Sequence, residues 1–246
     1  MSSLSQLRAQ ISALEGFPNL VTGAVSEAAS LGVICIDSCL PWGGLTAGGL
    51  HEISAENSAA PGAAIGFATF CLGRLALNRP GPILWVSLSD ELYPPGLAGR
   101  VLPTARLLLV RPARSAELLW SLEQILRCKA VAAVLGDVHG LDFRAARRLS
   151  LASRASGVPA LLFNRGADAA VSLTRWRVAA APSDSKVGVG AWRWRLTLVR
   201  CRGIAMGADD QAPQWLVEMK DATGGFSLVA QAFDRSFTEA GQRCAG

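Results

Sequence analysis

A loop at residues 55–64 has the setting of a phosphate-binding site but lacks the residues that bind phosphate. The segment before it predicts a short strand, and the apolar segment after it predicts a helix. The phosphate-binding motif G-x-x-x-x-G-K-[ST] occupies such a loop between a strand and a helix. Its Lys reaches phosphate oxygens, and the hydroxyl of its Ser or Thr holds Mg²⁺. Here Ala55 replaces the first Gly, Gly62 keeps the second, and Ala63 and Ala64 follow it. The loop therefore predicts a protein that binds partners rather than one that turns over a nucleotide, and it predicts no cofactor.

Two acidic residues follow predicted strands and are the candidates for acid–base or cation chemistry. Glu91 comes after the apolar run Ile83–Leu88, and Asp137 ends the run that begins at Val131. Asp137 could hold a cation, and Glu91 could polarise a water as a general base. Strand-end carboxylates also hydrogen-bond nearby loops, and without an anchored phosphate Glu91 has no group to attack. We therefore predict no catalytic residue and no metal site, with Glu91 and Asp137 as vestiges.

Arginine carries nearly all of the positive charge, and the net charge is +5. A basic face suits nucleic acid or an acidic protein partner, although an arginine-rich solvated surface is equally compatible with this composition. On the predicted strand at residues 192–198, a period of two puts the Trp and Leu side chains on one face and the Arg side chains on the other. Arg175 and Arg177 flank Trp176 in the same way. The candidates for DNA or partner binding are Arg144, Arg147, Arg148 and Arg154 on one predicted helix, and Arg193 and Arg195 on this strand.

An amphipathic helix is predicted at the N-terminus. Its apolar residues recur at spacings of three, four and three, at Leu4, Leu7, Ile11 and Leu14. So short a helix must dock on its own core or on another protein, and its stripe is therefore a further candidate for partner binding. The predicted organisation is a helix with its linker at 1–29, one α/β domain at 30–233, and a C-terminal tail at 234–246.

Strands that alternate with helices predict a mostly parallel β-sheet with helices on both faces. From about residue 174 the strands follow one another without helices, which predicts an antiparallel C-terminal extension of the same sheet. The helix Asp142–Ser156 is predicted to be capped by Asp142 and ended by Gly157. Strands are predicted at 31–36, 50–54, 83–88, 107–110, 131–135, 160–163, 192–202, 215–220 and 226–233, and helices at 63–77, 115–128 and 142–156.

The composition is that of a globular protein, since half of the 246 residues are apolar. We find neither a membrane-spanning run nor a signal peptide and expect a cytoplasmic protein. In a reducing cytosol the six cysteines are expected to stay free thiols. Cys35 and Cys39 have no second pair to complete a metal set, and His51 and His139 belong to no motif, so we expect packed or surface histidines.

The order of elements resembles the core of the RecA recombinase family over roughly residues 30–230. Gly44–Ser54 resembles the entry into that family's Walker A loop, and Ala130–Asp137 resembles its Walker B strand, with Asp137 in the Mg²⁺-organising position. Glu91 stands where RecA proteins keep a catalytic Glu. Two departures matter besides the degenerate Walker A: Val138–Leu141 and Arg165–Val171 are short where RecA proteins carry DNA-binding loops.

This combination is similar to the ImuA family, RecA-like accessory proteins of bacterial mutagenesis cassettes. The resemblance implies a non-catalytic role in SOS-induced, error-prone translesion DNA synthesis, through contacts with the Y-family-like ImuB-type protein. RecA and an error-prone DnaE-type polymerase are the further implied partners, with DNA contact weak or indirect and no membrane contact. Two alternatives remain open: a SulA-like cell-division inhibitor that binds FtsZ, and a divergent DNA-dependent ATPase in which an arginine replaces the missing Lys.

Overall fold

The computed structural model describes residues 28–58, 60–90, 92–93, 102–166, 171–183, 190–204, 212–220 and 225–232. The predicted N-terminal helix with its apolar stripe, Glu91 and the tail at 234–246 lie outside the described residues.

The described residues form an α/β structure of nine strands and four α-helices. The helices are α1 (Ile34–Asp37), α2 (Gly62–Ala76), α3 (Ser115–Arg127) and α4 (Phe143–Ser156). The strands are β1 (Leu50–Ala55), β2 (Ile83–Val86), β3 (Leu107–Val110), β4 (Ala133–Val138), β5 (Ala160–Asn164), β6 (Thr174–Ala181), β7 (Arg193–Cys201), β8 (Gln214–Lys220) and β9 (Gly225–Ala232).

One sheet contains all nine strands, in the order β3-β2-β4-β5-β1-β6-β7-β8-β9. The pairs from β3 to β6 are parallel, and the pairs from β6 to β9 are antiparallel. This confirms the predicted fold class, a mostly parallel sheet with helices on both faces and an antiparallel C-terminal extension. The strand that begins at Thr174 is parallel to β1, so the antiparallel part starts one strand later than predicted, at β7. No helix in the described part of the chain has the length and apolar character needed to cross a membrane.

Two apolar layers cover the two faces of the sheet. On one face, α2 is buried nearly all round, and its Phe67 packs in an aromatic cluster with Trp176, Trp194 and Phe226. The Phe67 and Trp176 rings meet edge to face with centroids 5.6 Å apart, an arrangement that aromatic pairs favour. On the other face, α3 and α4 bury their apolar stripes against the parallel strands. Trp194, Leu196 and Leu198 on this face of β7 are therefore core, in agreement with the period of two, whereas Trp192, just before β7, is 43% exposed.

One predicted strand was wrong. Residues 31–36 were assigned a strand from their apolar character, but Ile34–Asp37 form a single helical turn. The cause is the Asp37 carboxylate, which accepts hydrogen bonds from the Leu31 backbone N–H at 2.8 Å and the Ser30 hydroxyl at 2.7 Å. A side chain that bonds the backbone six residues earlier bends the segment and competes with an extended conformation.

Candidate functional site

The residues that could perform chemistry lie at the carboxyl ends of the parallel strands, where ligands bind in open α/β sheets. The strand–loop–helix unit that was predicted is present: β1 ends at Ala55 and α2 begins at Gly62. These two residues are seven positions apart, whereas the two glycines of the phosphate-binding motif are five apart, so the loop is longer than the motif requires. Ala63 and Ala64 begin α2 with their side chains in the core.

The charge at this loop has the wrong sign for a phosphate. Glu56 follows β1 directly, and its carboxylate accepts a hydrogen bond from the Arg195 guanidinium at 2.7 Å. Both side chains are about half exposed, so solvent screens the pair. Arg195 is an arginine that the structure brings to this loop, and its guanidinium is engaged by Glu56.

The Asp137 carboxylate is paired with an arginine. In the fold its carboxylate lies between Ser87, which follows β2, and Arg165, which follows β5. The Arg165 guanidinium donates two hydrogen bonds to it, at 2.9 and 3.1 Å, and the Ser87 hydroxyl donates a third at 3.1 Å. A bidentate Arg–carboxylate pair is among the strongest polar contacts in proteins. A divalent cation at Asp137 would have to displace this guanidinium.

Arg165 was not among the site residues predicted from the sequence. It belongs to the short segment after β5, and its partner is 28 positions away on the neighbouring strand β4. Its guanidinium also lies over the Phe163 ring, 5.1 Å from the centroid, which adds a cation–π contact. The position of an arginine directly after a buried strand was the sequence signal that could have identified it. Only the order of strands in the sheet shows that its partner is Asp137.

A second carboxylate, Glu52 in the middle of β1, is almost completely buried and was also missed. It accepts hydrogen bonds from Asn164 Nδ2 at 2.5 Å, Arg175 Nε at 3.1 Å and the Ser172 hydroxyl at 3.2 Å. A buried charge must be paired and hydrogen-bonded to be tolerated, and these contacts satisfy that need. The available signal was a Glu inside a strand that begins and ends with apolar residues.

Asn164 connects Glu52 to the two loops that follow β4 and β5. Its side-chain oxygen accepts hydrogen bonds from the Gly140 N–H at 3.1 Å and from the Gly166 N–H at 2.9 Å. The two loops approach each other backbone to backbone: a Cβ at Gly166 would lie 2.7 Å from the Gly140 nitrogen. We call Glu52, Asn164, Gly140 and Gly166 the loop clamp, because one amide side chain fixes both loops to the buried carboxylate.

His51 is a packed residue, as expected, on the sheet face opposite Glu52. The Trp176 indole N–H contacts the Thr174 hydroxyl at 3.0 Å, this hydroxyl contacts His51 Nδ1 at 2.8 Å, and His51 Nε2 lies 2.8 Å from the Thr46 carbonyl. This series of hydrogen bonds requires the His51 Nε2–H to donate to the Thr46 carbonyl and His51 Nδ1 to accept from the Thr174 hydroxyl. Burial lowers the pKa of His51 from 6.5 to about 4, although the contact with the Thr46 carbonyl opposes the shift. The ring is therefore neutral at physiological pH and cross-links the loop before β1 to β6.

The arginine candidates separate into two groups. On β7, Arg193 donates to Glu218 at 2.6 Å and Arg195 to Glu56, while Arg175 on β6 holds Glu52, so carboxylates neutralise much of the predicted basic sheet face. On α4, the first-turn Arg144 and the following Arg147 and Arg148 are exposed, and Arg154 is half-buried. The helix carries the predicted Asp142 cap, which accepts from the Ala145 N–H at 2.6 Å, and it ends at Gly157.

Fold and site together define an α/β domain of the RecA class in which the nucleotide loop has lost its Lys and hydroxyl and the Walker B-type Asp is paired with an arginine. No family model matches the chain. The chain is 36% identical over 244 residues to Protein ImuA of Caulobacter vibrioides (strain NA1000 / CB15N), a match that covers 87% of this chain and 94% of the relative. Protein ImuA of Caulobacter vibrioides (strain ATCC 19089 / CIP 103742 / CB 15) matches with the same identity and coverage. The chain therefore belongs to the ImuA family.

Proposed function

We propose that this protein is a non-catalytic, RecA-like accessory component of SOS-induced, error-prone translesion DNA synthesis that acts by protein–protein contact. The observation that carries the proposal is the Arg165–Asp137 pair, together with a loop that has Ala63 and Ala64 in place of the motif's Lys and Ser or Thr, in a chain of the ImuA family. Enzymes that transfer a phosphoryl group rely on positioned cations and hydrogen-bond donors, with little covalent chemistry from the protein. In this loop Ala63 and Ala64 stand where the motif has its Lys and its Ser or Thr, and the Glu56 carboxylate adds a negative charge.

The partner that this function requires is the ImuB-type Y-family-like protein of the same cassette, with RecA and the error-prone DnaE-type polymerase as further partners. We place the protein in the cytoplasm, where its five described cysteines are free thiols. The N-terminal stripe of 1–29 and the arginines of α4 are the proposed contact elements, and 30–233 is the domain that carries them. DNA contact is weak or indirect, because the loops after β4 and β5 are short and bound in the loop clamp.

Calorimetric titration with ATP and Mg²⁺ tests the non-catalytic part of the proposal. We expect no binding with a Kd below about 100 μM, which corresponds to roughly 5.5 kcal/mol. A tighter Kd, together with hydrolysis that Asp137→Ala abolishes, would establish a divergent ATPase instead.

Co-purification tests the partner. The full-length chain should co-elute in gel filtration with an ImuB-type protein of the same organism and not with FtsZ from that organism. Binding to FtsZ without binding to the ImuB-type protein would overturn the proposal in favour of a division inhibitor.

A further inference from the structure

The outer surface of α3 and α4 contains a continuous groove that the proposed chemistry does not use. Both helices bury their inner stripes against the sheet, with Leu122 and Leu149 among the residues in that layer. Between their outer sides lie two cavities, of about 480 and 340 Å³. Glu123 and Arg148 line both cavities, so their ion pair is the partition between two halves of one groove.

The groove is basic. Glu123 is only 7% exposed and is bound by both Arg148 and Arg127, the latter at 2.5 Å, so this triad keeps one positive charge. Lys129 lines the larger half, and Arg144 lies one turn before Arg148 on α4. Lys129 and Arg144 are both exposed, and neither has a carboxylate partner among the described residues. The surface therefore carries cations whose own chain does not neutralise them.

The groove is also apolar at both ends. Trp120 lines the smaller half and is 63% exposed, and Leu151 lines the larger half and is 53% exposed. Scattered exposed aliphatic residues are ordinary on protein surfaces, but an exposed Trp beside arginines is typical of interface hot spots. The rest of the walls are mainly small apolar side chains, among them Ala116 and Ala152.

We propose that this groove binds an acidic segment of a partner protein that also carries an aromatic or aliphatic side chain. The partner's carboxylates would pair with Arg148 and Lys129, and its apolar side chain would cover Trp120 or Leu151. α3 has 13 residues and is about 20 Å long, so roughly six residues of extended chain span the groove. Apolar walls between the cations favour a peptide over a DNA backbone, whose phosphates would use the charges and leave the walls uncovered. The inference rests on the proposed function, because it names the surface through which an accessory protein docks.

The first test measures fluorescence anisotropy with the full-length chain and a labelled synthetic peptide of about twelve residues, twice the groove's extended span, composed of Asp and Glu with Leu and Phe. A twin peptide has Ser in place of Leu and Phe. We expect the apolar-containing peptide to bind at least about tenfold more tightly, a difference of 1.4 kcal/mol. Trp120→Ala and Lys129→Glu should each weaken it by a similar factor.

Two matched variants serve as controls. Leu77→Ala removes an equally exposed large apolar side chain just after α2, and Arg111→Glu reverses an exposed charge at the opposite end of α3 from Lys129. Both should leave the affinity unchanged within about twofold. Equal affinity for the two peptides, or indifference to Trp120→Ala, overturns the inference. So does binding of a single-stranded oligonucleotide that Lys129→Glu weakens and Trp120→Ala does not, because that pattern identifies a phosphate surface.

A second arm separates this inference from the proposed function. In pull-downs with the ImuB-type protein, wild-type binding that both groove variants weaken supports both ideas. Wild-type binding that neither variant weakens overturns the groove and leaves the accessory role intact. If the wild-type chain does not bind the ImuB-type protein, the proposed function fails, and the peptide titration still decides whether the groove is an acidic-segment site.

Discussion

Removing the Arg165 guanidinium should destabilise the fold much more than removing an exposed arginine. The side chains of Arg165 and Asp137 are 22% and 6% exposed, so Arg165→Ala leaves a buried carboxylate without its cation. Breaking a buried pair in this way costs about 3–5 kcal/mol. Ser87 still donates one hydrogen bond to Asp137, and the expected loss is therefore about 3 kcal/mol in the free energy of unfolding.

A double-mutant cycle isolates the pair from other effects of truncation. Asp137→Ala leaves an arginine that can reach water, and we expect it to cost about 1–2 kcal/mol. The double variant has no unpaired charge, so it should cost about 2 kcal/mol less than the sum of the two single variants, a coupling typical of residues in one network.

Urea unfolding followed by tryptophan fluorescence supplies these free energies. Arg114→Ala is the control, because Arg114 and Glu117 form a pair with side chains 77% and 41% exposed, and such pairs contribute at most about 1 kcal/mol. The reasoning is refuted if Arg165→Ala costs no more than Arg114→Ala, or if millimolar MgCl₂ stabilises the wild type but not Asp137→Ala. The first result would show that the pair contributes little to stability, and the second would make Asp137 a cation site.

Three other predictions concern pH, DNA and the N-terminus. His51 is protonated in the unfolded chain below pH 6.5 and in the fold only below about 4. Between these values the unfolded state binds more protons, so lowering the pH from 7 to 5 should remove about 2 kcal/mol of the free energy of unfolding through this residue. In His51→Gln the loss of stability on acidification, measured by urea unfolding, should be smaller by that amount. Single-stranded DNA binding should be weak, with a steep decrease of log K with log salt concentration; tight binding in an anisotropy titration at about 200 mM salt would reveal a dedicated DNA site. If the N-terminal helix packs on its own core, the double variant Leu7→Glu with Ile11→Glu should lose several kcal/mol in the free energy of unfolding, since each buried side chain contributes about 1.5–3 kcal/mol. An unchanged Tm with loss of RecA in a pull-down would identify a RecA-binding element. Unchanged RecA binding by the folded variant would exclude that role.

The sequence was sufficient wherever structure depends on local periodicity or a local cap. The helix α4 was recognisable from its apolar spacing, from Asp142 before it and from Gly157 after it. The period of two in β7 correctly placed Trp194 in the core. These signals are local because a helix face and a strand face each repeat within a few residues.

The sequence was insufficient where a side chain meets a residue of another element. Arg165 finds Asp137, and Asn164 finds Glu52, only because β5 lies between β4 and β1 in the sheet. That order is a property of the folded topology, and no spacing along the chain encodes it. The helical turn at Ile34–Asp37 was missed for a related reason, since the hydrogen bonds that the Asp37 carboxylate accepts from Ser30 and Leu31 outweigh the β preference of an apolar, β-branched segment.

The loop clamp has a consequence for how this protein tolerates change. Insertions in surface loops normally cost little, because closure entropy grows slowly with loop length. Here the Asn164 amide joins both loops to Glu52, and Gly166 fits against the Gly140 backbone with no room for a Cβ. Lengthening either loop would pull an amide away from Asn164 and leave polar groups near a buried carboxylate without partners. Chain length after β4 and β5 is thereby coupled to the stability of the core, so random insertion libraries should be depleted at 138–141 and 165–166 relative to other loops of the domain.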